Sequence, residues 1–216
     1  MSEKRFQIRI CLNPECGLRY PILLDNQFGE RCPNCLGQTV IAVEQTFPEE
    51  PIPTIHPSSK EIELCVVLDN IRSGLNVGSI FRSADAFGLR HLYLCGITPT
   101  PEEAEVRKSA LGAEKYIPWS SHNNAVDLIA NLKNQEIKVW ALEKTQNSIS
   151  INHIVSTQQK PKHLILVMGN EVTGVDPGIL ELADCVTHIP MQGIKRSLNV
   201  AAAFSIAAQI LRTSNY

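Results

Sequence analysis

Residues 164–178 read LILVMGNEVTGVDPG. The apolar run from Leu164 to Met168 is too short for a helix and does not alternate, so it reads as a strand buried on both faces. It stops at Gly169, which allows close backbone approach of a ligand, and Asn170 and Glu171 then set polar groups at the rim of a sheet. A helix follows over Pro177–Leu182. Strand, polar loop and helix in this order are the unit of a parallel α/β sheet, whose ligands collect beyond the carboxyl ends of the strands.

The pattern extends outward in both directions. Further strands are expected at Leu64–Leu68, His91–Leu94, Val139–Leu142 and Val186–Ile189, with helices at Val77–Phe87, Ala125–Leu132 and Ser197–Leu211. Residues 60–216 should therefore form an α/β domain, a parallel sheet with helices on both faces. Two more strand-to-helix junctions carry polar residues. Residues 68–88, LDNIRSGLNVGSIFRSADAFG, place Asn76 as a helix cap, Val77, Ile80, Phe81 and Ala84 at core spacing, and Gly88 as a left-handed stop. The helix does not explain Arg82, whose bland reading is a solvated or Asp85-paired cation. Residues 188–211, HIPMQGIKRSLNVAAAFSIAAQIL, end a strand at Pro190 and Met191, pass Lys195 and Arg196, and open an alanine-rich helix at Ser197 or Asn199. No junction carries a G-x-G-x-x-G or G-x-x-x-x-G-K-[ST] loop, so dinucleotide and nucleoside-triphosphate sites of those types lose their support.

Together these junctions resemble the three signature motifs of the SpoU (TrmH-like) branch of the SPOUT RNA methyltransferases. The matching residues are Asn70, Asn76, Gly78, Arg82, Ala86 and Gly88, then Gly169, Asn170, Glu171 and Gly174, then Ile189, Pro190, Met191, Ser197, Leu198 and Asn199. The resemblance implies a carboxy-terminal trefoil knot, a homodimer with substrate contacts shared across subunits, and methyl transfer from S-adenosylmethionine to a ribose 2′-hydroxyl of tRNA or rRNA. It implies an adenosine pocket at Leu142, Gly169, Ile189, Met191 and Leu198, and a methyl-transfer site at Arg82, Asn76, Glu171, Ser197 and Asn199. Arg82 is then either the group that takes the hydroxyl proton or a cation that binds the adjacent phosphate and stabilises the alkoxide. One departure is GNEVTG where many relatives have GSEG, so Asn170 replaces a serine.

Ahead of this domain, Cys11, Cys16, Cys32 and Cys35 form Cys-x4-Cys and Cys-x2-Cys pairs. Such pairs can bring four thiolates to the corners of a tetrahedron, the geometry of structural zinc, with no open position for chemistry. The stretches RFQIRICL and YPILL read as short strands, and residues 1–45 resemble a zinc ribbon, expected to be the target-recognition module. The segment is too small to bury a core of its own, so metal should supply much of its folding free energy. Residues 46–59, TFPEEPIPTIHPSS, hold four prolines and read as a semi-rigid linker. The remaining Cys65, Cys95 and Cys185 sit among apolar neighbours and read as core.

The 216 residues are 44% hydrophobic and 19% charged, which excludes a disordered or collagenous chain, and no run is long enough to span a membrane. The amino terminus has no apolar core of signal-peptide length, so a cytoplasmic location is expected. A net charge of −2 gives no general attraction to nucleic acid. RNA contacts must therefore come from local clusters: Arg72 with Arg82, Arg107 with Lys108, and Lys195 with Arg196. Two other functions remain open, a non-catalytic zinc-ribbon RNA-binding or assembly protein that retains the methyltransferase fold, and methylation of a base nitrogen.

Overall fold

The computed structural model describes residues 3–24, 31–48, 62–135, 137–157, 161–194 and 197–213. The chain divides into two compact units, Met1–His56 and Pro57–Tyr216. Most of the expected linker, residues 49–59, lies outside the described residues. Thr46, Phe47 and Pro48 do not belong to a linker, because they end a strand.

The first unit is a three-stranded antiparallel sheet of β1 (Glu3–Cys11), β2 (Arg19–Leu23) and β3 (Thr39–Pro48), in the order β2-β1-β3. The two expected strands are present, and β3 adds a third. A proline is tolerated at the very end of such a strand, where no further ladder bond is needed. One face is apolar, with Phe6 stacked on Phe47 at 4.8 Å between ring centroids. The other is a polar ladder in which Arg5 and Gln7 donate to Glu44, and Arg9 donates to Thr39 and Gln7. Among the described residues of this unit, the only fully buried apolar side chains are Cys11 and Cys32. Side-chain burial alone therefore gives it little stability.

The second unit is a seven-stranded parallel sheet. Its strands are β4 (Glu63–Asp69), β5 (His91–Cys95), β6 (Trp119–His122), β7 (Lys138–Leu142), β8 (Ile149–Ser150), β9 (His163–Met168) and β10 (Cys185–His188), in the order β6-β5-β4-β9-β7-β10-β8. The helices are α1 (Gly74–Ala86), α2 (Ala104–Ala110), α3 (Ala125–Lys133), α4 (Ile151–Thr157), α5 (Pro177–Leu182) and α6 (Val200–Thr213). Alternate residues of β4 face opposite ways, so two cores form. Leu64, Val66 and Leu68 pack with Ile80, Phe81 and Phe204 of α1 and α6. Val67, with Ile165 and Val167 of β9, packs against Ile129 of α3 and Ile179 of α5. Both faces are covered, which is why the central strands read as unbroken apolar runs.

The five strands expected in this unit are all present within a residue or two at their ends. β6, β8, α2 and α4 were not expected: β6 is a polar edge strand, β8 has two residues, and the helices are one or two turns long. Cys95 is core as expected, whereas Cys65 and Cys185 are half-buried. None of the described helices is long and apolar enough to cross a membrane.

Candidate functional site

The three junctions converge beyond the carboxyl ends of β4, β9 and β10. At the first, Ser73 rather than Asn76 caps α1, its Oγ accepting from the Asn76 N–H at 3.3 Å. The helix thus starts a turn earlier than expected, and the Asn76 side chain is released for another purpose. Its Nδ2 donates to Glu171 Oε1 (3.1 Å) and its Oδ1 accepts from Asn199 Nδ2 (2.9 Å). Asn199 Oδ1 in turn accepts from the N–H groups of Ala201 (2.9 Å) and Ala202 (3.3 Å), so Asn199, not Ser197, caps α6. Glu171 Oε2 accepts from the Arg72 N–H at 3.0 Å. One chain of hydrogen bonds therefore ties all three motifs together and sets the orientation of both amides.

Burial raises the Glu171 pKa, but the hydrogen bonds it accepts outweigh this, chiefly the Arg72 N–H, its own N–H, the Asn76 amide and the Ser73 N–H. Its carboxyl is held below the ordinary glutamate value. Glu171 is thus an ionised acceptor at neutral pH, which fixes Asn76 as the donor in their contact.

The loop after β9 is closed by Asn170. Its Oδ1 accepts from the N–H groups of Val172 (2.9 Å) and Thr173 (3.2 Å), while its Nδ2 donates to the Asn70 carbonyl at 2.6 Å. Asn70 is left-handed, φ 54°, and its Oδ1 accepts from the Ile97 N–H, which joins the ends of β4 and β5. A Cβ on Gly169 would lie 2.3 Å from the Val175 nitrogen. The glycine expected to admit a ligand is therefore already required by the loop's own return. Gly174 has φ 76°, and a Cβ there would meet Glu143 Oε2 at 2.4 Å.

A cavity of about 470 Å³ opens beside this network. Leu142, Gly169, Ile189, Met191 and Leu198, the expected adenosine pocket, all line it, as do Glu171, Ser197 and Asn199. Asn76 reaches it through Glu171 and Asn199 rather than as a wall residue. Glu143, Lys144, Met168, His188, Val200 and Ala203 also line it and were not anticipated. Glu143 and Lys144 directly follow Leu142, but no periodicity marks which loop side chains turn inward.

Arg82 is not among the lining residues; it is exposed, six positions along α1 from Asn76, and no ion pair engages it among the described residues. The Asp85 pairing that would account for it is absent there. Arg107 is exposed, and its Nη1 donates to the carbonyls of Pro101 (2.7 Å) and Glu102. Lys195 and Arg196 lie outside the described residues.

In the first unit the four cysteine Sγ atoms all lie within 4.8 Å of one another, with Cys11–Cys35 at 3.4 Å and Cys16–Cys32 at 3.7 Å. Two similar tight turns present them. In one, the N–H groups of Cys16 and Gly17 bond to the Asn13 carbonyl; in the other, the Leu36 N–H bonds to the Cys32 carbonyl. Gly17 and Leu36 follow the second cysteine of each pair, and both are left-handed. The side chain of Asn34 and then the Leu18 backbone pull the Cys16 thiol down to about 6. Cys11, although the Asn13 backbone lowers it, is pushed up to about 12 by burial and by the other three thiols. Four Sγ atoms this close could hold a metal ion.

Comparison with known proteins places the chain in a family. The SpoU rRNA Methylase family model matches residues 63–209. A tRNA (guanosine(18)-2'-O)-methyltransferase of Aquifex aeolicus is 31% identical over 153 residues, 68% of this chain and 67% of the relative. The 23S rRNA (guanosine(2553)-2'-O)-methyltransferase RlmP of Bacillus subtilis is 28% identical over 206 residues, 95% of this chain and 77% of the relative. The structure of an AdoMet-bound rRNA methyltransferase from Sinorhizobium meliloti aligns with a TM-score of 0.65 at 31% identity, over 75% of this chain and 59% of that one. The chain thus spans 59–77% of the length of these relatives.

Proposed function

Because the chain belongs to the SpoU rRNA Methylase family, we propose that it is an S-adenosylmethionine-dependent RNA methyltransferase acting on a ribose 2′-hydroxyl of tRNA or rRNA. The observation that carries this reading is the hydrogen-bonded chain from Glu171 through Asn76 to Asn199, set at the edge of the cavity. The cavity suits an adenosine ligand. Its volume lies in the range of small-molecule sites, with apolar walls at Leu142, Met168, Ile189, Met191 and Leu198 and a polar rim.

S-adenosylmethionine, when bound there, supplies an electrophilic methyl group. The chain's own residues must orient the ribose hydroxyl and lower the cost of removing its proton. Asn76 has one amide hydrogen and one carbonyl lone pair left after its two contacts, so it can hold a hydroxyl in a fixed direction. Ser197 offers a further hydroxyl on the cavity wall. Arg82 acts as a cation: a guanidinium stays protonated in proteins, so it binds the neighbouring phosphate bidentately and stabilises charge on the hydroxyl oxygen. Its exposure leaves it free to do so.

The finer parts of the reading are a trefoil knot, a homodimer and a zinc ribbon. The placement of β10 between β7 and β8 supports the knot. Leu75 of α1 and Ile206 of α6, apolar and 50% and 38% exposed, support a face covered by a second copy. The spacing of the four thiols supports zinc held by Cys11, Cys16, Cys32 and Cys35, with no free position for catalysis.

Ribose methylation protects the adjacent phosphodiester from alkali, so alkaline-cleavage maps of cellular RNA with and without the protein should show one protected position. The Arg82→Ala variant should lose that protection while binding S-adenosylhomocysteine as the wild type does. Unaltered methylation by Arg82→Ala would remove Arg82 from the site, and no protected position in any RNA would count against the activity itself.

A further inference from the structure

We propose that Glu143 recognises the ribose of the adenosine ligand, its carboxylate accepting hydrogen bonds from the 2′- and 3′-hydroxyls; this rests on the methyl-transfer reading above. Glu143 follows the last residue of β7, and its N–H donates to the Thr187 carbonyl at 2.8 Å, which extends the contact between β7 and β10 past the end of β7. Its backbone is therefore held by the sheet rather than by a free loop. The side chain lines the cavity.

Each carboxylate oxygen is positioned by one backbone donor. Oε1 accepts from the Lys144 N–H at 2.9 Å and Oε2 from the Val175 N–H at 3.1 Å. Gly174 presents bare backbone to the carboxylate, since a Cβ there would lie 2.4 Å from Oε2. A carboxylate has about four acceptor positions, so each oxygen keeps one for a ligand. No ion pair engages Glu143 among the described residues.

The cavity's other carboxylate, Glu171, cannot serve as well. Its two oxygens are already engaged by the Asn76 side chain and the Arg72 and Ser73 backbone, on the side where the motifs meet. Glu143 is thus the anionic acceptor with spare capacity. A vicinal diol is the donor pair that matches two oxygens held side by side, and hydroxyl-to-carboxylate bonds are among the stronger hydrogen bonds.

The test is calorimetric titration of S-adenosylhomocysteine and of its 2′,3′-dideoxy analogue into wild-type protein and into Glu143→Gln. Wild-type protein should bind the dideoxy analogue about tenfold or more weakly, as expected when hydrogen bonds to a charged group are lost. In Glu143→Gln, S-adenosylhomocysteine should weaken by a similar factor, and removing the hydroxyls should then matter by less than about threefold. If Glu143 only clamps the Gly174 loop, both ligands weaken equally in the variant and the proposal fails. It also fails if Glu143→Gln binds both ligands as wild type does. Should the variant not fold, the wild-type comparison alone decides, because equal affinity for the two ligands overturns the proposal. Absence of any S-adenosylhomocysteine binding to folded wild-type protein overturns the methyl-transfer reading together with this one, whereas binding without ribose discrimination overturns only this one.

Discussion

Asn170 makes contacts that a serine in its place could not make together. Its oxygen closes the loop turn on Val172 and Thr173 while its nitrogen reaches back to the Asn70 carbonyl. Serine has one oxygen and can replace the turn but not also span to Asn70. Asn170→Ser should therefore lower stability by about 1 kcal/mol, the net worth of the part-buried hydrogen bond to the Asn70 carbonyl, measurable by urea denaturation. Glu171 carries a pH signature. Its folded-state pKa is depressed, so its contribution is present above the unfolded glutamate value and is lost as pH falls through the lower folded value. Melting temperatures of wild type and Glu171→Gln should accordingly differ at neutral pH and converge only in acid, once the pH has fallen below the depressed folded-state value. Leu36 is left-handed and 67% exposed, so it bears backbone strain without a packing return. Leu36→Gly should be neutral or stabilising by up to about 1 kcal/mol when the metal-loaded protein is melted.

At the scale of elements, the contact between α1 and α2 depends on a missing side chain. A Cβ on Gly78 would lie 2.0 Å from Ser109 Oγ and 2.4 Å from the Val106 carbonyl. The two helix backbones touch there, which no propensity scale favours, since glycine inside a helix is otherwise unfavourable. Gly78→Ala should destabilise by about 1–3 kcal/mol through overpacking and displace the start of α1, on which Asn76 lies. Circular dichroism melts report the first effect, and weakened methyl transfer with intact S-adenosylhomocysteine binding reports the second. The capping pattern teaches the same lesson. Ser73, Asn76, Ser197 and Asn199 are all residues that cap helices well, and chain position alone could not say which pair would do it. Ser73 and Asn199 took the caps, and Asn76 became the bridge between them and Glu171.

For the whole molecule, the two units should respond differently to chelation. The first has almost no apolar core among its described residues, whereas the second has two. Removing metal should unfold the first unit and leave the helical signal and main melting transition of the second in place, as followed by circular dichroism before and after chelator. A protein that purifies without metal and keeps its fold in chelator would refute the zinc reading.

The apolar runs, the glycine and asparagine punctuation and the cysteine spacing were legible in the sequence because each follows from local rules: burial on two faces, backbone freedom, and ligand count. They were enough for a parallel α/β sheet, three loops at its rim and a four-cysteine cluster. Short or polar elements were not legible, because β6, β8, α2 and α4 are held by neighbours far away in the chain and not by their own periodicity. Nor could sequence assign Asn76 to the bridge, Arg107 to the Pro101 carbonyl or Glu143 to the cavity. Those outcomes depend on which donor meets which acceptor once distant segments pack, and only the tertiary structure decides that.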